Sequence, residues 1–353
     1  MKSYFRILGN FRKKLRSNKY LDGFESTNQS VLLKQQVDKS NAIDDSQAFG
    51  LLSNFYTIGD SLSDVNGLTS VFSASLRKQI NVSYPSVNNS YTNGDNAALL
   101  VAKHFKVENF TAGFDYQTAN NHFVKHGKNY AIAGATAAEI SSGFGLMLNN
   151  FKIKDQAVSL LKQHKISFND LLFIEIGGND LFQIVDLPIS KQRNKISEAV
   201  ANIQSTLLLL LNNGLKKIIL ANAPDISRLP KYLNTPLAKT TKRLSREFNR
   251  KLQKMFVKVN TQYCHTMYFY DLQKKFKCML KKFDGDTSQA PTTIKRDFRA
   301  VIKRCTVEIE FNNNIKPEQL DNYFFFDEAH PTKWAHFEVA QDLIKIAEKM
   351  TKK

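Results

Sequence analysis

The stretch Asn54-Phe55-Tyr56-Thr57-Ile58-Gly59-Asp60-Ser61-Leu62-Ser63-Asp64 places a short apolar run directly before a small polar turn. Runs of this length, ended by Gly, Asp and Ser, suit strands buried in a parallel sheet. Four more runs share the character: Tyr130–Ala133, Leu171–Ile176, Lys217–Ala221 and Met267–Leu272. Helical stretches fall between them, at Asp95–Phe105, Asp155–Gln163 and Ser190–Leu211. Leu244, Phe248, Leu252, Met255, Phe256 and Val259 recur at helical spacing and mark a longer helix. A final helix runs from about Lys333 to Lys349. This alternation predicts an α/β fold, a three-layer sandwich with helices on both faces of a central, mostly parallel sheet of about five strands.

In such a sheet ligands sit at the carboxyl ends of the strands. Ser61, Gly134 and Asn179 each directly follow a predicted strand. Ser61 lies in the turn quoted above, Gly134 in Ala133-Gly134-Ala135-Thr136, and Asn179 in Ile176-Gly177-Gly178-Asn179-Asp180. Far downstream the chain reads Asp327-Glu328-Ala329-His330-Pro331-Thr332. A serine hydroxyl attacks only if a base takes its proton, and an anion must fix the base's tautomer. Ser61, His330 and Asp327 supply those three roles. Each phrase alone has an ordinary reading: a helix cap at Asp60 or Ser61, a plain glycine turn, a surface histidine. Their order along the chain and their places at strand ends make the combination far more specific than its parts.

Those four segments resemble the GDSL (SGNH) family of serine esterases and lipases. The phrases that carry the resemblance are Gly59-Asp60-Ser61-Leu62-Ser63-Asp64, Gly134-Ala135-Thr136-Ala137, Gly177-Gly178-Asn179-Asp180 and Asp327 to His330-Pro331-Thr332. Weaker echoes are Thr92-Asn93-Gly94, Asn222-Ala223-Pro224-Asp225 and Phe248-Asn249. The resemblance covers roughly residues 53–349 and looks most like the bacterial lecithinase/haemolysin type, which includes phospholipases A and lipid acyltransferases. It implies a flavodoxin-like SGNH fold without metal or organic cofactor. Ser61 is then nucleophile, His330 base and Asp327 its partner, with Ser61, Gly134 and Asn179 as oxyanion-hole donors. It also implies that Asp60 serves the turn rather than the base. The implied activity is hydrolysis of lipid or phospholipid acyl esters, with acyl transfer where a second alcohol replaces water. A carbohydrate O-deacetylase is the alternative enzyme, and a non-catalytic binding protein on the same scaffold the alternative class. The chain departs from the family at Ser63-Asp64-Val65-Asn66-Gly67, where the usual Gly-Asn order is reversed.

The 353 residues carry a formal charge of +18. Lys2, Arg6, Arg12, Lys13, Lys14, Arg16 and Lys19 stand in a first stretch without any acid, and the remainder stays basic. Such a surface favours anionic partners, here an anionic membrane surface. A solvated charge excess without a partner is the other reading. No nucleic-acid-binding motif is present, so nucleic acid is not an expected partner. Residues 1–50 read as a basic, then polar arm, and 51–353 as one hydrolase domain. The arm's apolar patch is broken by Arg6, so it is not a clear secretory signal. It reads as disordered, as a membrane-surface helix or as a translocation signal of another kind, leaving export or a cytoplasmic location open. Leu207 to Leu211, the longest apolar run, is too short to span a bilayer and reads as the buried end of a helix.

Residues 281–322 form a polar, irregular insertion, read as a substrate-covering flap or a solvated loop. Cys264, Cys278 and Cys305 show no metal-ligand spacing. The resemblance implies a disulfide between Cys278 and Cys305; the alternative is three buried free thiols.

Overall fold

The computed structural model describes residues 52–114, 127–140 and 148–352. The expected arm at 1–50 lies outside them. The strands are β1 (Phe55–Gly59), β2 (Asn81–Val82), β3 (Leu171–Glu175), β4 (Lys217–Ala221), β5 (Met267–Tyr270), β6 (Thr292–Ile294), β7 (Thr306–Val307) and β8 (Ile309–Phe311). The helices are α1 (Gly67–Leu76), α2 (Ala97–His104), α3 (Ile153–Gln163), α4 (Gly178–Ile184), α5 (Ile189–Asn212), α6 (Ala238–Gln262), α7 (Leu272–Lys282), α8 (Phe298–Arg304) and α9 (Lys333–Thr351).

The central sheet is parallel, with order β1-β3-β4-β5. Every residue of β1, β3 and β4 is buried, as the near-continuous apolar runs require of strands covered on both faces. Helices α3, α5 and α6 pack on one another, as do α2, α9 and α7, and the two groups flank the sheet. Leu207, Leu210 and Leu211 point into the core from the end of α5, as their buried-helix reading requires. Among the described residues no helix is long and apolar enough to cross a membrane.

Among the described residues the sheet has four strands where about five were expected. Tyr130–Ala133 does run beside β1: the Tyr130 and Ile132 N–H groups donate to the Thr57 and Gly59 carbonyls at 2.7 and 3.1 Å. One bridge forms, between Thr57 and Asn129, and there the ladder stops. The reason is Gln156 of α3. Its Oε1 accepts the Gly59 N–H at 2.7 Å, the donor the next rung needs, and its Nε2 donates to the Gly59 carbonyl at 2.9 Å. The run Met267–Leu272 is also shorter than expected, because Asp271 caps α7 by accepting the Lys274 N–H at 3.0 Å.

The segment 283–322 is folded. Strand β7 pairs with β2, and β6 pairs antiparallel with β8. Val301 packs with Phe72 and Ile80, while Ile294 and Ile309 pack with Val82, Tyr91 and Phe326. The Thr292 hydroxyl donates to the Phe326 carbonyl at 2.5 Å, so this segment braces the turn before Asp327. All three cysteines are free thiols, with Cys264 and Cys278 exposed. The pairing implied by resemblance is not formed: Cys305 packs beside the Phe72–Ile80–Val301 cluster, whereas Cys278 lies on the outer face of α7.

Candidate active site

The end of β1 and the turn before α9 bring two distant parts of the chain together. Ser61 Oγ lies 2.8 Å from His330 Nε2. His330 Nδ1 lies 2.8 Å from Asp327 Oδ2. Asp327 Oδ1 accepts the backbone N–H groups of Ala329 and His330 at 2.8 and 2.7 Å. Burial alone would raise the Asp327 carboxyl. The His330 ring and those two amides outweigh it and hold the group below the usual carboxylate range. A carboxylate at Nδ1 keeps the ring proton on that nitrogen, so the Nε2 lone pair faces the Ser61 hydroxyl. Tyr91 stacks on the His330 ring, with centroids 5.3 Å apart. Asp60, by contrast, accepts the Leu62 N–H at 3.1 Å within its own turn.

The opposite wall is built from glycine turns. Gly134 has φ +81° and Gly177 φ +122°, both in the left-handed half of conformational space. A Cβ at Gly177 would lie 2.4 Å from the buried Phe248 ring. Asp180 ties the two turns together, because its carboxylate accepts the Ala137 and Ala138 N–H groups at 2.9 and 2.7 Å. Asn179 Nδ2 therefore comes to 3.1 Å from the Ala135 carbonyl, which occupies one of its two N–H bonds. Among the described residues the Ser61 and Gly134 amides have no acceptor. Replacing Gly177 with Ala is expected to cost about 2 kcal/mol or more, from backbone strain and the collision with Phe248. A chemical denaturation midpoint equal to that of the wild type would sink this account of the turn.

Around Ser61 a pocket of about 30 Å³ is lined by Leu62, Asn179, Phe182, Pro224, Leu229 and Ala329, among others. Gly134 is not among its lining residues, nor is any residue of 283–322. An apolar cavity of about 50 Å³ adjoins it, sharing Leu62, Glu175, Pro224, Leu229 and Ala329. Glu175, at the end of β3, is buried beneath the pocket, and neither oxygen finds an N–H or hydroxyl donor. It faces Asp60. Burial first, then the Asp60 charge, push the Glu175 carboxyl well above its usual range. Among the described residues no group of His, Cys, Asp and Glu is placed to hold a metal ion.

Several supports escaped the sequence reading. Asp64 accepts the Gly67, Leu68 and Ala133 N–H groups, linking the Ser61 turn to the Gly134 segment. Asn66 takes the left-handed conformation before α1 (φ 62°), so the reversed Asn-Gly order still turns the chain, through the Asn. The Asn129 side chain reaches across to the Ser63 carbonyl at 2.7 Å. Asn249 makes both of its amide bonds with the Ala223 backbone and so fixes the loop that carries Pro224 and Leu229. The available signals were Asp180 directly after Asn179 and the two weak echoes at Asn222–Asp225 and Phe248-Asn249.

A family model described as GDSL-like Lipase/Acylhydrolase matches residues 55–343. Lipase 1 of Photorhabdus luminescens is 31% identical over 118 residues, which make up 33% of this chain and 17% of that protein. Similar solved structures include an acetylxylan esterase from Geobacillus stearothermophilus, at 16% identity and TM-score 0.41, covering 85% of this chain and 95% of that one. An alpha/beta hydrolase from the metagenome of Lake Arreo, Spain, gives 15% identity and TM-score 0.40, covering 86% and 98%.

Proposed function

We propose that this chain, which belongs to the GDSL-like lipase/acylhydrolase family, hydrolyses carboxylic esters by acyl transfer through Ser61. The observation that carries the reading is the unbroken path from Ser61 Oγ through the His330 ring to the Asp327 carboxylate, with both contacts at 2.8 Å. His330 Nε2 takes the hydroxyl proton as Ser61 Oγ bonds to the ester carbon. The carbonyl oxygen becomes an oxyanion, stabilised by the Ser61 and Gly134 amides and the remaining Asn179 N–H. Collapse of this intermediate expels the alcohol, which leaves with the proton from His330. Water, activated by the same ring, then releases the acid; a second alcohol in its place gives acyl transfer.

For the substrate we favour lipid acyl esters, in keeping with the motif resemblance to the lecithinase/haemolysin type. The apolar walls of the Ser61 pocket and the apolar cavity next to it support this. The small volume at Ser61, about 30 Å³, favours a second reading, a short acyl ester such as an acetyl group. An ester panel from acetyl to palmitoyl, with phospholipids included, separates the two when run on the wild type and Ser61→Ala. Turnover that peaks at acetyl and vanishes for longer chains would overturn the lipid reading.

Asn179→Ala is expected to lower kcat by roughly 10²–10³ with little change in KM, because its N–H meets charge that exists only in the transition state. An increase in KM with kcat unchanged would assign Asn179 to substrate holding instead.

A further inference from the structure

An open groove of about 600 Å³ on the described surface is lined by six cations: Arg193 from α5, and Lys239, Lys242, Arg243, Arg246 and Arg250 from α6. Glu247 is the one acid in its lining, and it meets Arg243 and Lys251 at 3.7 and 3.6 Å. Among the described residues none of the other five groove cations has an acidic side chain within ion-pair distance. Like charges gathered this way repel one another, and an ordinary solvated helix face would intersperse acids.

The groove also contains a fixed arginine. Gln192 is buried, and its Nε2 donates to the Val185 carbonyl at 3.0 Å. Its Oε1 accepts from Arg243 Nη2. Arg243 Nη1 is buried and faces Glu247 Oε2 at 3.7 Å. With Arg243 fixed by Gln192 and Glu247, the exposed Lys242, Arg246 and Arg250 beside it are the cations open to the oxygens of a phosphate group.

The position of the groove suggests what it meets. Helix α5 follows α4, which begins at Gly178 and Asn179; α6 follows the loop carrying Pro224, Ile226 and Leu229, which line the Ser61 pocket. Helices joining parallel strands run back along the sheet, so their first turns lie at the end that carries Ser61. Ile189, the first residue of α5, is 58% exposed beside Arg193. Cations next to an exposed aliphatic side chain suit the interface of a bilayer better than a purely polar anion.

We propose that this groove docks the phosphate groups of an anionic phospholipid surface and so sets the Ser61 pocket against the lipid. The proposal rests on the lipid-ester reading, and its test separates the two. Full-length Lys242→Glu/Arg246→Glu is compared with Lys274→Glu/Lys277→Glu, which makes the same charge change at exposed positions of α7. Sedimentation is measured with phosphatidylcholine vesicles, with and without phosphatidylglycerol, and hydrolysis with a soluble short-chain ester. The wild type should bind the anionic vesicles and be released by salt. The groove variant should lose at least about tenfold in binding and the α7 variant far less, given roughly a fivefold effect for each cation near an acidic surface. Hydrolysis of the soluble ester should be the same in all three. Loss of vesicle binding in the groove variant supports the docking site even if no protein turns over the ester, a result that would count against the reaction alone. Equal losses in both variants, or binding to heparin with none to anionic vesicles, would overturn the proposal.

Discussion

Ser61→Ala is expected to remove ester hydrolysis almost completely, with a loss in kcat on the order of 10⁶, as befits removal of the nucleophile from a serine hydrolase. The substitution deletes one hydroxyl whose hydrogen-bond partner is His330 Nε2. No packed apolar group is lost and no buried donor is stranded. The thermal transition should therefore stay close to that of the wild type, and circular dichroism can establish this on the same sample. A folded Ser61→Ala protein with wild-type turnover would end the serine mechanism.

The second large effect concerns the base and its partner. His330→Ala should be about as damaging as loss of the nucleophile, because the two act as a unit. Asp327→Asn should cost about 10⁴ in kcat while the protein stays folded. An asparagine Oδ1 can still accept the Ala329 and His330 amides, so the turn survives. Its amide nitrogen, however, would face His330 Nδ1 with hydrogens where the carboxylate had lone pairs. The ring then moves its proton to Nε2, pointing at Ser61, and can no longer take one. Asp327→Ala differs in kind: it leaves two amides without an acceptor in a buried turn and should also lower stability. Full activity in His330→Ala, or an Asp327→Asn protein as active as wild type, would place the base elsewhere.

Adding Asn179→Ala to these variants would show whether the two walls of the pocket work together. A unit of nucleophile and base gives non-additive losses within itself. The oxyanion side should instead retain a measurable effect of its own in any variant with residual turnover.

The sequence by itself determined the local elements and the layering. Strands β1, β3, β4 and β5 and helices α2, α3, α5, α6 and α9 follow from apolar runs and helical spacing, both short-range signals. The order of Ser61, Gly134, Asn179, Asp327 and His330, three of them directly after apolar runs, is enough to point to the candidate chemistry. Tertiary structure decided what depends on side chains that reach far along the chain. Gln156 takes a backbone donor from Gly59, 97 residues away, and ends what periodicity would extend into a fifth strand. Asp180 joins two glycine turns more than forty residues apart, and Asn249 holds the loop at Ala223. The short helix α4 and the small pairs β2–β7 and β6–β8 lack a periodic signal, because two or three rungs carry too few residues to establish one. Cys278 and Cys305 are unpaired, one on an outer helix face and the other against Val301, a placement that no local pattern records. Hydrophobic periodicity records which face of an element meets the core. A polar side chain that satisfies a distant backbone group leaves no period, so it becomes legible only when the folded chain brings donor and acceptor together.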